Sequence, residues 1–286
     1  MSIAVKLKQR VGVVLAALAL VAMSQARAEQ PALWQQVASD LPMPYGVLLI
    51  DEKLYVSTVP DIVEVGEETG THHPVKTLAE ASPSGLLLDK DRTIVAVENG
   101  TGSLIRFNQN FEQLEVLAEG LGDPVTVKRL GNFYYVTDYN FGKGDGRLLR
   151  VTPGGATKVY AKLSGPGGFT IDKDEIFVAE FDKGQLVSLQ KKGKVRQVVA
   201  SGLGKPLDIV RLDSGGFIVS DFGGFDGATG RLLHVGENGR VTVLDSSTLG
   251  NPAGLLIHGG SLYVTDLIGG RLFKANLYKL LAETNW

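Results

Sequence analysis

Five carboxylates recur at one place in a repeated pattern. Glu98, Asp138, Glu180, Asp221 and Asp266 each end a short apolar run. A ring of acids could grip a metal or a cationic ligand. The same acids could instead be held by arginine. Gly-Arg opens the next apolar run after each aspartate, at Arg147, Arg231 and Arg271, whereas Ser103 and Gln185 stand there after the glutamates. A planar guanidinium fork suits a fixed carboxylate. The expected assignment is therefore structural, as Asp138–Arg147, Asp221–Arg231 and Asp266–Arg271, with ligand contact as the alternative.

Other reactive groups are sparse. The chain has no cysteine, which excludes thiol chemistry and disulfides. Its histidines are His72, His73, His234 and His258. His72 and His73 are adjacent, so on extended chain they face opposite ways, and they are read as solvated residues of a hairpin at 66–73. The G-x-S-x-G elbow of serine hydrolases is absent. Strings such as GGFDGATG lack the lysine of a phosphate loop.

Two long connections carry aromatics, glycines and an acid: YNFGKGDG at 139–146 and FGGFDGATG at 222–230. Loops on a rigid scaffold are where binding groups gather. Tyr139, Phe141, Asp145, Phe222, Phe225 and Asp226 are candidate ligand contacts. For the aromatics the competing reading is core packing.

These residues need elements to position them. The clearest unit is PAGLLIHGGSLYVTDLIGGRLFK at 252–274: a proline, a small residue, glycine, then three apolar runs separated by turns. The same grammar starts at Pro44, Pro83, Pro124, Pro166 and Pro206, with spacings of 39, 41, 42, 40 and 46 residues. A period near 40 with four short strands per unit predicts an all-β fold, a six-bladed β-propeller of four-stranded blades. LWQQVASDL at 33–41 resembles the fourth strands of later units. It is expected to pair with the sixth unit and close the ring, the alternative being a strand from the tail at 277–286. A short terminal helix is expected at 277–281.

Lys6, Lys8 and Arg10 precede twelve apolar residues, Val11–Ala22, and an Ala-Arg-Ala site ends at Ala28. Twelve residues make only about 18 Å of helix, too short to span a bilayer. Residues 1–28 are thus expected to be a cleaved signal peptide and 29–286 one periplasmic or secreted propeller, with no integral membrane contact after cleavage. The leader takes four of the 29 basic residues and none of the 31 acids, leaving a net charge of −6. That balance argues against nucleic acid as a partner.

Units of this form resemble the SMP-30/gluconolactonase/strictosidine-synthase-like propellers, with looser similarity to NHL repeats. SPSGLLLD at 82–89, GPGGFTID at 165–172, LYVTD at 262–266 and the GRL triplets carry the likeness. The resemblance implies a divalent cation, usually calcium, over the central channel, held by Glu, Asn and Asp just after each opening proline. Here those positions are Tyr45, Ser84, Val125, Gly167, Leu207 and Ala253. One residue further on, beside Thr126 and four glycines, only Asp208 is charged. Tyr45, Ser84, Thr126 and Asp208 join the ligand-contact candidates, the glycines imply an open channel entrance, and no metal or other cofactor is predicted. The expected function is a non-catalytic module binding a protein partner or small-molecule ligand at the channel face. The alternative is a lactone or ester hydrolase with a displaced calcium site anchored on Asp208.

Overall fold

The computed structural model describes residues 32–78, 82–140, 145–190, 193 and 195–283. The proposed leader and Phe141 lie outside these. Strand β1 (Trp34–Ala38) comes first. Blade one is β2 (Val47–Ile50), β3 (Lys53–Ser57), β4 (Asp61–Val65) and β5 (His72–Thr77). Blade two is β6 (Pro83–Leu88), β7 (Ile94–Glu98), β8 (Ser103–Phe107) and β9 (Gln113–Ala118). Blade three is β10 (Pro124–Leu130), β11 (Phe133–Asp138), β12 (Arg147–Val151) and β13 (Thr157–Lys162). Blade four is β14 (Pro166–Asp172), β15 (Glu175–Glu180), β16 (Gln185–Gln190) and β17 (Val195–Ser201). Blade five is β18 (Pro206–Arg211), β19 (Phe217–Asp221), β20 (Arg231–Val235) and β21 (Val241–Asp245). Blade six is β22 (Pro252–His258), β23 (Ser261–Asp266) and β24 (Arg271–Asn276), followed by helix α1 (Leu277–Glu283).

Each blade is one antiparallel four-stranded sheet, and the sixth is completed by β1 in the order β1-β24-β23-β22. The chain is a six-bladed propeller closed by its N-terminal strand. Trp34 fastens the closure. Its indole packs edge-on to Phe273, with centroids 6.4 Å apart, and its Nε1 donates to Asp245 of blade five at 2.9 Å.

The core lies between blades. Leu48, Ile50 and Tyr55 of blade one meet Ile94, Ala96 and Phe107 of blade two, and comparable layers recur around the ring. Phe107, Phe169 and Phe217 are fully enclosed; each stabilises the packing by about 2–3 kcal/mol. The outermost strands are half wet: β9 reads exposed over its first four residues. His72 and His73 belong to such a strand, β5, and not to the preceding hairpin. The register runs Glu64↔His73 and Val65↔His72, so pairing with β4 draws them into the sheet.

Two irregularities repeat. From the second blade on, the register slips just after the opening proline, as between Pro124 and Thr126 or Pro206 and Asp208. Proline cannot donate to a ladder, so a bulge beside it is the natural break. The opening prolines face the strand-two acids across this break: Pro83↔Glu98, Pro124↔Asp138, Pro166↔Glu180, Pro206↔Asp221 and Pro252↔Asp266. Acids, prolines and the two long loops therefore share one face of the wheel.

Candidate ligand basin at the hub

The strand-two carboxylates are held by their own blades. Asp138 accepts from the Gly122 and Asp123 amides and from Arg147 at 2.9 Å. Asp221 accepts from the Lys205 amide and from Arg231 at 2.8 and 2.5 Å. Asp266 accepts from Asn251, Gly269 and Arg271. Glu180, which lacks an arginine at the start of its third strand, takes Arg196 from the fourth strand instead. Glu98 accepts from the Thr101 hydroxyl. These donors wrap the acids in a turn too tight for a side chain: at Gly204, φ +77°, a Cβ would stand 2.5 Å from an Asp221 oxygen.

Hydroxyls at the residue before the acid, or before Thr58 in blade one, stitch neighbouring blades, a role the sequence reading missed. Ser57 accepts from the Gly46 amide and donates to the Ser84 carbonyl at 2.7 Å. Ser220 accepts from the Asp208 amide and donates to the Ala253 carbonyl at 2.6 Å. Thr265 accepts from the Gly254 amide and donates to the Tyr45 carbonyl at 3.1 Å. The glycines they serve draw the inner strands together. A Cβ on Gly46 would lie 2.2 Å from the Ser84 carbonyl, and one on Gly254 would lie 1.9 Å from that of Tyr45.

The open channel entrance implied by those glycines is therefore corrected: they narrow the hub. Tyr45 crosses it, its hydroxyl reaching from blade one to 3.5 Å from the Leu207 carbonyl of blade five. Burial above all, then the nearby Asp208 charge, pushes the Tyr45 phenol up, so the hydroxyl stays neutral. Thr126 faces that hydroxyl, and its buried Oγ1 has no partner in regular hydrogen-bond geometry. Asp208 is surrounded by protein yet keeps a fraction of its surface open, as a side chain on a narrow channel does. One oxygen accepts from the Ile209 amide at 2.8 Å and the other from the Leu255 amide at 2.9 Å. Burial pushes its carboxyl up to about 6, against the opposing pull of Lys128 and the two amides. Ser84 turns its hydroxyl onto the Pro124 carbonyl at 3.3 Å.

Calcium needs six to eight converging oxygens. The hub offers a phenol, two hydroxyls and one carboxylate whose oxygens are both already engaged. Among the described residues no three of His, Asp and Glu cluster as metal ligands would. The residues present do not fit a cation held by side chains.

Above Tyr45 lies a basin of about 580 Å³, within the range of small-molecule sites. Three positions in the repeat build most of it, with Pro166 and Phe225 completing the lining. The residue after the strand-two acid supplies Asn99, Tyr139, Phe181, Phe222 and Leu267. The residue after the opening proline supplies Tyr45, Val125, Gly167 and Leu207, and the residue before it supplies Asp123 and Lys205. The aromatics form a chain: Tyr139 to Phe181 at 5.9 Å, Phe181 to Phe222 at 6.3 Å, Phe222 to Phe225 at 4.8 Å. Tyr139 is fixed by donating to Asp182 at 2.9 Å.

Of the candidate ligand contacts, Tyr45, Tyr139, Phe222 and Phe225 meet at this basin. Phe222 is fully buried beneath it, whereas Phe225 is 70% exposed. Asp145 and Asp226 do not line it; they brace their own loops through Asn140 and the Ala228 amide. Ser84, Thr126 and Asp208 sit at the hub but off the lining. Phe181 and Lys205 were missed, although an aromatic directly after the acid in three successive units, at 139, 181 and 222, is a signal in the sequence.

No protein-family profile and no curated protein matches the sequence. Solved structures do match the fold. A gluconolactonase from Xanthomonas campestris, important in glucose secondary metabolic pathways, superposes with a TM-score of 0.71 at 17% identity, over 85% of this chain and 89% of its own. A protein assigned as a gluconolactonase gives 0.71 at 16% identity, over 88% and 96%. A chain of a nidogen/laminin complex gives 0.66 at 18% identity, over 80% and 90%. At such identities the shared property is the propeller fold alone.

Proposed function

We propose that this chain is an exported propeller that binds a small molecule, without turning it over, in the aromatic basin at its hub. The observation that carries this reading is the basin: a chain of edge-on and tilted aromatics over a hub whose one carboxylate is already engaged by the protein's own amides. Flat side chains of low conformational freedom give large contact area at small entropic cost. Export rests on the leader-like first 28 residues, with periplasmic or secreted as the destination.

The lactonase reading is kept for one reason, the likeness of the fold to gluconolactonases. It needs a displaced metal site anchored on Asp208 with help from Glu180 or Asp221, and those two acids already hold Arg196 and Arg231.

The test uses the mature chain purified from an exporting host. We expect its N-terminus at Glu29, no stoichiometric divalent ion by elemental analysis, and a melting temperature unmoved by chelator. Nile red should bind, and Phe225→Ala should weaken that binding roughly fivefold with no loss of stability. Calcium-dependent lactone hydrolysis abolished by Asp208→Ala would overturn the proposal in favour of the hydrolase.

A further inference from the structure

The cations that face the strand-two acids are spoken for: Arg147, Arg196, Arg231 and Arg271 each hold a carboxylate. Lys205 differs. It lies on the lining of the basin, and among the described residues no carboxylate comes within 4.0 Å of its Nζ. The ammonium instead stands 5.9 Å from the centre of the Phe181 ring. Its backbone is pinned, since the amide donates to Asp221 at 2.8 Å and the carbonyl accepts from Phe222 at 2.9 Å. A pinned backbone thus carries, on an exposed side chain, an ammonium with no carboxylate within 4.0 Å among the described residues; the Asp226 carboxylate stands nearby, over Gly224. Asp123, the other charged residue on the lining, already has a partner of its own.

We propose that the ligand is an amphiphilic monoanion: an aromatic or similarly flat apolar body bearing one carboxylate, which pairs with Lys205. The inference rests on the basin being a binding site. The ammonium is exposed, so its pairing with an anion is a modest, salt-screened gain added to the apolar contact. One lysine neutralises one negative charge, which a carboxylate supplies; a phosphate, with up to two, would leave charge over. The carboxylate would sit where the cation now faces Phe181, with the apolar body over Phe222 and Phe225.

Matched probes separate the parts of this idea. 1-Naphthaleneacetate, its amide and 1-naphthylmethylamine are titrated into the mature chain at pH 7 by calorimetry. The acid should bind at least tenfold more tightly than the amide, and the amine most weakly. Raising salt from 20 to 500 mM should weaken only the acid. Lys205→Met should abolish the preference for the acid while leaving affinity for the amide within twofold. Lys205 is exposed and makes its hydrogen bonds through the backbone, so the variant should fold. Equal binding of acid and amide, a preference surviving in Lys205→Met, or tightest binding of the amine overturns the anion while leaving the basin as a site. Failure of all three probes, with no Nile red binding either, overturns the basin and this inference with it.

Discussion

A buried carboxylate must find donors, and Asp266 finds four: two amides and two guanidinium nitrogens. Removing the acid strands them all, whereas removing the arginine leaves both amides in place. Asp266→Ala is therefore expected to cost about 3–5 kcal/mol and Arg271→Ala clearly less, about 1–2 kcal/mol, since Arg271 is a third exposed. Denaturant titration of the two variants checks the order. Asp208 is governed by burial. Its carboxyl is raised from 3.8 to about 6, so the folded state holds a proton that the unfolded chain has already lost. Its neutral form costs nothing extra well below pH 4, and a penalty grows as pH climbs from about 4 to about 6 and then levels off. Relative to Asp208→Asn, the wild type should lose on the order of 2 kcal/mol between pH 4 and 7, the channel-facing surface tempering the figure. Any loss of amide bonding in the variant shifts the whole curve without bending it. A flat difference across that range would refute the assignment.

Strands were more legible than the contacts between them. The spacing of prolines and the alternation of apolar runs place every blade, because both follow from backbone chemistry that repeats every 40 residues or so. What escaped is what one blade does to the next. The hydroxyls of Ser57, Ser220 and Thr265 look like ordinary strand residues until the neighbouring carbonyl is in view. Arg196 was invisible as the partner of Glu180 because it arrives from the fourth strand, not the third. Part of the basin could have been found, since aromatics follow the acids at 139, 181 and 222; Lys205 could not, because its place beside Phe181 and Phe222 is set by contacts between blades. Among the elements, β1 carries the sharpest prediction. It covers the open edge of β24 and buries Trp34, Val37 and Ala38. Deleting residues 32–41 should uncover that edge and give a chain that aggregates or pairs with itself. Light scattering and the loss of a single cooperative melting transition report it; a monodisperse, cooperatively melting variant would show the closure to be dispensable.

At the scale of the whole molecule the two faces are secured differently. On the face that carries the basin, acids are tied within their own blades and hydroxyls reach across. On the other, carboxylates at the ends of inner segments meet arginines of the following blade: Asp51 with Arg92, Asp89 with Arg129, Asp172 with Arg211. Their separations match the repeat length, as contacts between successive copies must. The Asp89 group is the most enclosed. Burial alone would raise its carboxyl, but the Tyr134 hydroxyl, Arg129 and the Lys90 amide together hold it below the usual carboxylate range. Such pairs bias the angle at the three junctions they span: blades one and two, two and three, and four and five. The pairing of β1 with β24 also has a consequence in time. About 240 residues separate the partners, so at ordinary synthesis rates the first strand waits roughly 10–50 s for its mate. Until the last blade is made the wheel stays unlatched, and only a full-length polypeptide can finish it.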